Sequence, residues 1–285
     1  MLIATFLFAL MAVLIKYAAA DYSVFEIIFY RSIFGVICCW VLLKRARIPI
    51  ATRCPWRHLI RCLIGTTCIS LGVYILAVMP IATAQTLTYT SPLWFCLFLS
   101  VANLLSHQRP DRPMLSAVLI GFGGVLLILR PDMQIGAFDA AMGVLAGLTG
   151  GAADFMIRNL SQHQEPRERI VFFFTLAGTV LGFAASLWTG FSALTPTGIA
   201  LILGIGLTGT LAQLALTTAW SRGQPLLNSV FQFAGILFAI VFGMLLWGDR
   251  LDALSVLGIA VVTGAGIAAS LLRLRNERRA AKAKE

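Results

Sequence analysis

The chain has 285 residues, of which 59% are hydrophobic and only 12% charged. A soluble domain carries about 25% charged residues, so this composition cannot cover a water-facing surface and excludes a soluble globular protein. The net charge of +10 would suit a nucleic-acid ligand, but its placement along the chain assigns it to membrane orientation, and no nucleic acid is expected as a partner.

In chain order, apolar runs fall at residues 2–20, 24–43, 59–79, 82–103, 114–130, 139–157, 169–190, 196–221, 224–247 and 252–273. Each is near the roughly 20 residues that a spanning helix needs. The runs are continuous and not alternating, which favours helices over a barrel. The expected fold class is all-α: a polytopic membrane protein with ten transmembrane helices. Only short stretches around Met79-Pro80 and Ser221-Arg222-Gly223 separate the third run from the fourth and the eighth from the ninth. The longest polar stretch, Lys44 to His58, is a connector, and Arg273 to Glu285 is a charged end. Ala18-Ala19-Ala20 before Asp21 resembles a signal-peptide cleavage site. No basic region precedes that run, however, and it has a mate in the sixth, so it is read as the first helix.

The two halves superimpose at a fixed offset of 142 residues: Lys16 with Arg158, Glu26 with Glu168, Thr66 with Thr208, Ala77 with Ala219 and Leu104 with Leu246. Residues 1–142 and 143–285 each hold five apolar runs. Five is odd, so the second half enters the membrane inverted, as in transporters built from inverted repeats. With the N-terminus inside, only Lys16, Arg31, Arg130 and Arg250 of the 22 basic residues fall outside. The other 18 lie in cytoplasmic segments, the positive-inside bias, and both termini are expected in the cytoplasm.

Several motifs read as packing. The six cysteines (Cys38, Cys39, Cys54, Cys62, Cys68, Cys96) lie in the first half and form no metal-ligand spacing. Gly204-Ile205-Gly206-Leu207-Thr208-Gly209 matches GxGxxG, but it lies inside an apolar helix with no acidic residue nearby. Gly143, Gly147 and Gly151 form a small-residue stripe for helix packing. No cofactor is expected.

Charges within apolar runs are costly and usually functional. Lys16, Glu26 and Arg31 fall toward the outer ends of the first two helices. Asp154, Arg158 and Glu168 fall toward the inner ends of the sixth and seventh, as an inverted repeat requires. Glu26/Arg31 and Asp154/Arg158 are spaced to pair locally. Two readings stay open: interfacial snorkelling with structural pairing, or gating by Lys16, Glu26, Arg31, Asp154 and Arg158. His58, His107 and His163 fall in connectors and no acid is placed near the midplane. This points to transport driven by the substrate gradient and disfavours an intramembrane hydrolase.

Uncharged polar residues cluster on the fourth and ninth helices. Gln85, Thr86, Tyr89 and Thr90 lie on one, Asn228 and Gln232 on the other. Thr86 and Thr90 are the offset mates of Asn228 and Gln232, each pair spaced to share a helix face. Tyr74, Trp94, Gln213 and Trp220 fall on the third, fourth and eighth helices. Two readings are open: a substrate cavity lined by Tyr74, Gln85, Thr86, Tyr89, Thr90, Trp94, Gln213, Asn228 and Gln232, or interhelical hydrogen bonds without a ligand. Pro92 is expected to loosen the fourth helix.

Lys16 closing the first helix, the stretch Phe25-Glu26-Ile27-Ile28-Phe29-Tyr30-Arg31, the Pro92 segment and Gly121-Phe122-Gly123-Gly124-Val125 resemble the drug/metabolite transporter superfamily, EamA type. The resemblance covers nearly the whole chain. It implies a protein of the bacterial inner membrane, in contact with membrane lipid, that exports small molecules by alternating access between two five-helix repeats, with no enzyme activity. Members of that superfamily export amino acids and related metabolites, and relatives carry sugars, nucleotide sugars or drugs. An uncharged, aromatic-lined cavity is most similar to exporters of aromatic and other neutral amino acids; the alternative is a broad drug-efflux carrier. Arg31 departs from the repeat, since its mate is Phe173.

Overall fold

The computed structural model describes residues 1–105, 116, 119–121, 123–124, 127, 136–223, 228, 231–248 and 253–282. These residues form helices and no strand. In order they are α1 (Leu2–Ala18), α2 (Val24–Arg45), α3 (Pro55–Val78), α4 (Ile81–Thr88), α5 (Ser91–Leu105), α6 (Ala137–Gln162), α7 (Arg167–Thr189), α8 (Pro196–Arg222), α9 (Ala234–Trp247) and α10 (Ala253–Lys282). Most of the expected fifth helix lies outside the described residues, as do His107, Arg109, Arg112, Arg130, Arg250, Lys284 and Glu285. The helices α2, α3, α6, α7 and α8 are long and apolar enough to cross a membrane; α1, α9 and Val256–Ala265 are shorter apolar helices.

Local chemistry sets the helix ends. Ser23 and Glu26 form a capping box at the start of α2: the Ser23 hydroxyl accepts from the Glu26 N–H at 3.3 Å, and the Glu26 carboxylate accepts from the Ser23 N–H at 2.8 Å. Pro55 and Pro196 open α3 and α8 at the position where a missing N–H costs nothing. The early start of α3 moves His58 from the expected connector into the first helical turn. Gly248 closes α9 in the left-handed conformation (φ 63°).

The expected fourth helix is two helices. Pro92 has no N–H to give to the Thr88 carbonyl, and the chain breaks at Tyr89 and Thr90. The Thr90 carbonyl accepts instead from the Leu93 N–H at 2.8 Å, restarting the chain as α5. Phe233 is likewise a turn, between helical Gln232 and α9.

α2 packs on α7, α3 on α6, α1 on α8 and α4 on α9. Small residues allow the close approaches, as expected from the glycine patterns. Gly143, Gly147 and Gly151 of α6 face Leu87, Thr90 and Trp94, while Gly204 and Gly206 of α8 face Leu14 and Phe34. The main apolar core joins Ile15, Ile27, Ile75, Ile81, Leu87 and Phe233; a second joins Phe95, Ile157, Leu160 and Trp220. Large apolar side chains such as Ile37, Leu187, Trp188, Leu203 and Leu245 point outward, as a lipid-facing surface requires.

At one end of the bundle the α2–α3 connector is tied to the α6–α7 connector. Glu165 accepts from Thr52 Oγ1 (2.6 Å) and Arg169 Nη1 (2.8 Å), and His58 Nε2 lies 3.3 Å from the same carboxylate. Arg169 also donates from Nε and Nη2 to the Pro49 carbonyl. Burial alone would push the Glu165 carboxyl up; its hydrogen bonds from Thr52 and Arg169, the adjacent His58 ring and the Arg169 charge outweigh that and hold it below the usual carboxylate range. A lowered folded value means that Glu165 stabilises the fold above its unfolded value, about 4.3, and that this contribution is lost as pH falls through the folded value. Removing one partner of such a buried pair costs about 3–5 kcal/mol. Glu165→Gln is therefore expected to lower the Tm of the purified protein at pH 7 and to flatten the acid limb of its Tm–pH curve. An unchanged curve would show that the tie carries no stability.

Candidate functional site

A central cavity enclosing about 950 Å³, counting the part continuous with solvent, is bounded by residues of α1–α8 together with Tyr89 and Gln232. Phe8, Met11, Ile15, Val73, Leu76, Ile157 and Phe174 make apolar walls. The polar lining includes Arg31, Arg61, Gln85, Tyr89, Ser91, Asp154, Gln213 and Gln232.

Gln232 organises one side. Its amide nitrogen donates to Ser91 Oγ at 3.0 Å and to Asp154 Oδ2 at 3.1 Å, and its amide oxygen is buried without a protein partner. The Trp220 indole lies beside the Asp154 carboxylate, with its N–H outside hydrogen-bond geometry. Tyr89 sits at the helix break with its ring against Gly235, where any side chain would displace it, and its hydroxyl is buried without a protein partner. The break therefore places a phenol with an open hydroxyl on the cavity.

Arg31 and Arg61 occupy the other side, 3% and 2% exposed. Arg31 lies seven residues into α2 and Arg61 six into α3, roughly 10 Å and 9 Å along each helix at 1.5 Å per residue. Both approach one ring: the Arg61 guanidinium carbon is 4.5 Å from the centroid of Phe174, and that of Arg31 is 5.9 Å away. Arg31 Nε donates to Met11 Sδ at 3.3 Å. Gly209 leaves room for Arg31, and Gly65 leaves room for Arg61.

Four expectations are corrected. The cavity is not uncharged, because Arg31, Arg61 and Asp154 line it. An acid does lie well inside the bundle: Asp154 is eight residues from the end of α6, roughly 12 Å. Arg31 is not at an outer mouth but buried in the cavity. Glu26 does not pair with Arg31; it is consumed by its capping box and by the Ser192 N–H (2.6 Å) and hydroxyl (3.0 Å). Arg61, assigned to a cytoplasmic segment from its charge, lines the cavity instead. Its position two turns beyond Pro55 was the available signal.

Of the expected binding residues, Gln85, Tyr89, Gln213 and Gln232 line the cavity. Tyr74, Thr86, Thr90, Trp94 and Asn228 do not. Thr86 and Thr90 donate to the carbonyls of Ala82 and Leu87 in their own chain segment, the usual outlet for a hydroxyl within a helix. Tyr74 donates to Asp139 at 2.6 Å, and Asn228 donates to the Ala219 carbonyl. Lys16 donates to the Met79 carbonyl at 2.7 Å and stacks over Trp247. Arg158 lies one turn beyond Asp154 on α6, outside the cavity lining.

The chain resembles known proteins along most of its length. The EamA-like transporter family matches residues 1–130 and 138–271. A pseudopaline exporter of Pseudomonas aeruginosa is 29% identical over 272 residues, covering 94% of this chain and 93% of that protein. A riboflavin transporter of Rhizobium johnstonii is 29% identical over 252 residues, covering 88% and 81%. A solved crystal structure superimposes with a TM-score of 0.69 at 18% identity, covering 97% of each chain, a likeness of fold. The apolar helices and the family match agree, and the chain belongs to the EamA-like transporter family of membrane transporters.

Proposed function

We propose that this transporter exports a small amino-acid-like metabolite across the bacterial inner membrane by alternating access at the central cavity. The observation that carries the reading is the cavity itself: charged and amide groups from both halves of the chain converge inside apolar helices, with Gln232 joined to Asp154 and Ser91. Polar groups in hydrocarbon are tolerated where they line a cavity. The pseudopaline and riboflavin carriers are relatives; the charged lining of this cavity favours a metabolite with ionised ends over a purely neutral drug.

We read the scaffold as ten spans in two inverted repeats, 1–142 and 143–285, with both termini in the cytoplasm. Three observations support this. At the 142-residue offset α1 corresponds to α6 and α3 to α8, so the α1–α8 and α3–α6 packings exchange. The break at Tyr89 and Thr90 has a counterpart near Phe233. The family match also falls in two stretches of similar length. In this orientation Lys16 and Glu26 tie the outer face, Thr52, Glu165 and Arg169 tie the inner face, and the cavity lies between; gating opens one set at a time.

Proteoliposomes loaded with a panel of amino acids and related metabolites are expected to show counterflow of at least one of them. No exchange of any compound, with catalytic turnover in detergent instead, would overturn the reading. Gln232→Ala and Tyr89→Ala are each expected to raise the half-saturating concentration roughly tenfold, since a hydrogen bond to a charged group contributes about 1.5–3 kcal/mol, with little loss of folded protein. Unchanged affinity in both would move the site away from the helix break. Asp154 is a buried carboxylate on the cavity, the type of group that relays protons in transporters. Asp154→Asn is expected to abolish accumulation driven by a pH gradient while counterflow persists at saturating substrate with weakened affinity; gradient-driven accumulation at wild-type rates would exclude Asp154 as the coupling group.

A further inference from the structure

We infer that Arg31, Arg61 and Phe174 form an anion clamp inside the cavity, and that the transported metabolite carries two carboxylates. The inference starts from an imbalance. Two guanidiniums line the cavity and neither lies within 4 Å of a carboxylate of the described residues, although both are almost fully buried. Arg31 Nη1, Arg61 Nε and Arg61 Nη1 are buried without a protein partner. The one acid on the cavity, Asp154, is already held by Gln232. The lining thus carries two positive charges against one negative.

Buried cations in hydrocarbon are expensive unless paired. Here the molecule keeps two of them on one cavity and around one ring, with Asp154 acting on Arg61 from beyond ion-pair distance as the single acid among the described lining residues. The Phe174 face stabilises them only partly, since a cation–π contact contributes about 0.5–2 kcal/mol. The glycines beside them remove the remaining obstacles. A side chain at Gly65 would collide with the Arg61 head and with Phe174, and one at Gly209 would meet Arg31 Nε at 2.7 Å. The guanidiniums are thus seated in backbone recesses, with forked donors left over. A forked donor matches the two oxygens of a carboxylate. Two such donors fit an organic dianion, and Asp154 across the cavity, with the open Gln232 amide oxygen, fits an ammonium group on the same molecule. The apolar walls accept a carbon skeleton between them. The class is an amino dicarboxylate, a narrower and more acidic substrate than a neutral amino acid. The anion site stands on the structure alone; its use by substrate rests on the cavity being the transport site.

The probe is malonate, a small dicarboxylate without an ammonium group. Thermal stability of the full-length protein in detergent is measured against malonate, its monoamide malonamate, inorganic phosphate and chloride at constant ionic strength. Malonate is expected to raise Tm saturably and more than any of the other three. Its half-saturating concentration is expected to rise at least tenfold in Arg31→Gln and in Arg61→Gln and to stay unchanged in Arg222→Gln, an exposed residue at the end of α8. Should the glutamine variants not fold, Arg31→Lys and Arg61→Lys keep the charge and lose the fork, and a rise of at least threefold is expected. Equal stabilisation by malonate and malonamate, a response that survives both arginine substitutions, or saturation by phosphate alone would overturn the carboxylate clamp. Counterflow of the same variants separates the two readings: intact transport with a lost malonate response would leave the anion site standing and overturn its assignment to substrate.

Discussion

In hydrocarbon each backbone N–H and C=O must be satisfied by the chain itself. That constraint makes the apolar segments of the described residues helical and limits where a helix can be interrupted. Pro92 forces one interruption, and the freed backbone at Tyr89 and Thr90 is accommodated because it faces α6, α9 and the cavity instead of lipid. The glycines Gly143, Gly147, Gly151 and Gly235 are what allow that fit: each takes a residue of the α4–α5 hinge against bare backbone. The place of Tyr89 and Ser91 on the cavity follows from one proline and a row of small residues opposite it.

The same dielectric argument separates two kinds of charge. Glu165 and Arg169, between helices at one end, are mutually paired and supplied with Thr52 and Pro49. They hold connectors together. Arg31 and Arg61 are as deeply buried, yet their surplus donors meet no protein acceptor. A group paired within the protein stabilises the fold; a group left short of partners on a cavity is ready for a partner from outside. The difference lies in the completeness of pairing, not in the burial.

Much of the fold was legible because hydrophobic run length is a direct reading of the bilayer. The starts of α2 and α8 coincide with the apolar runs at 24 and 196, whereas Pro55 starts α3 four residues ahead of the run at 59. The site was legible only in part. Gln85, Tyr89 and Gln232 stood out as amides and a phenol inside apolar runs. Thr86, Thr90 and Asn228 stood out in the same way, but a short polar side chain can be satisfied by a carbonyl within reach, and composition does not distinguish the two outcomes. The charges were misread for a different reason. Arg31 and Arg61 fall near the ends of apolar runs, where snorkelling is the ordinary explanation. Only the tertiary packing, with Gly65 and Gly209 opening recesses inward and Phe174 facing them, turns both side chains toward the centre.

At the 142-residue offset the mates of Arg31, Arg61 and Asp154 are Phe173, Leu203 and Ala12. No mate carries charge. Under the proposed two-fold relation the scaffold is therefore doubled while its chemistry is single. A doubled scaffold provides two opposed arrangements of similar energy, each closing one face, which alternating access needs. A doubled charge set would give two sites, and a substrate leaving one would be recaptured by the other at similar depth. With one set, divided among α2, α3 and α6, motion between the two arrangements changes the spacing of Arg31, Arg61 and Asp154 directly. A ligand that bridges them is then sensitive to which arrangement is present, and that differential affinity is the only means by which a substrate can bias such an equilibrium.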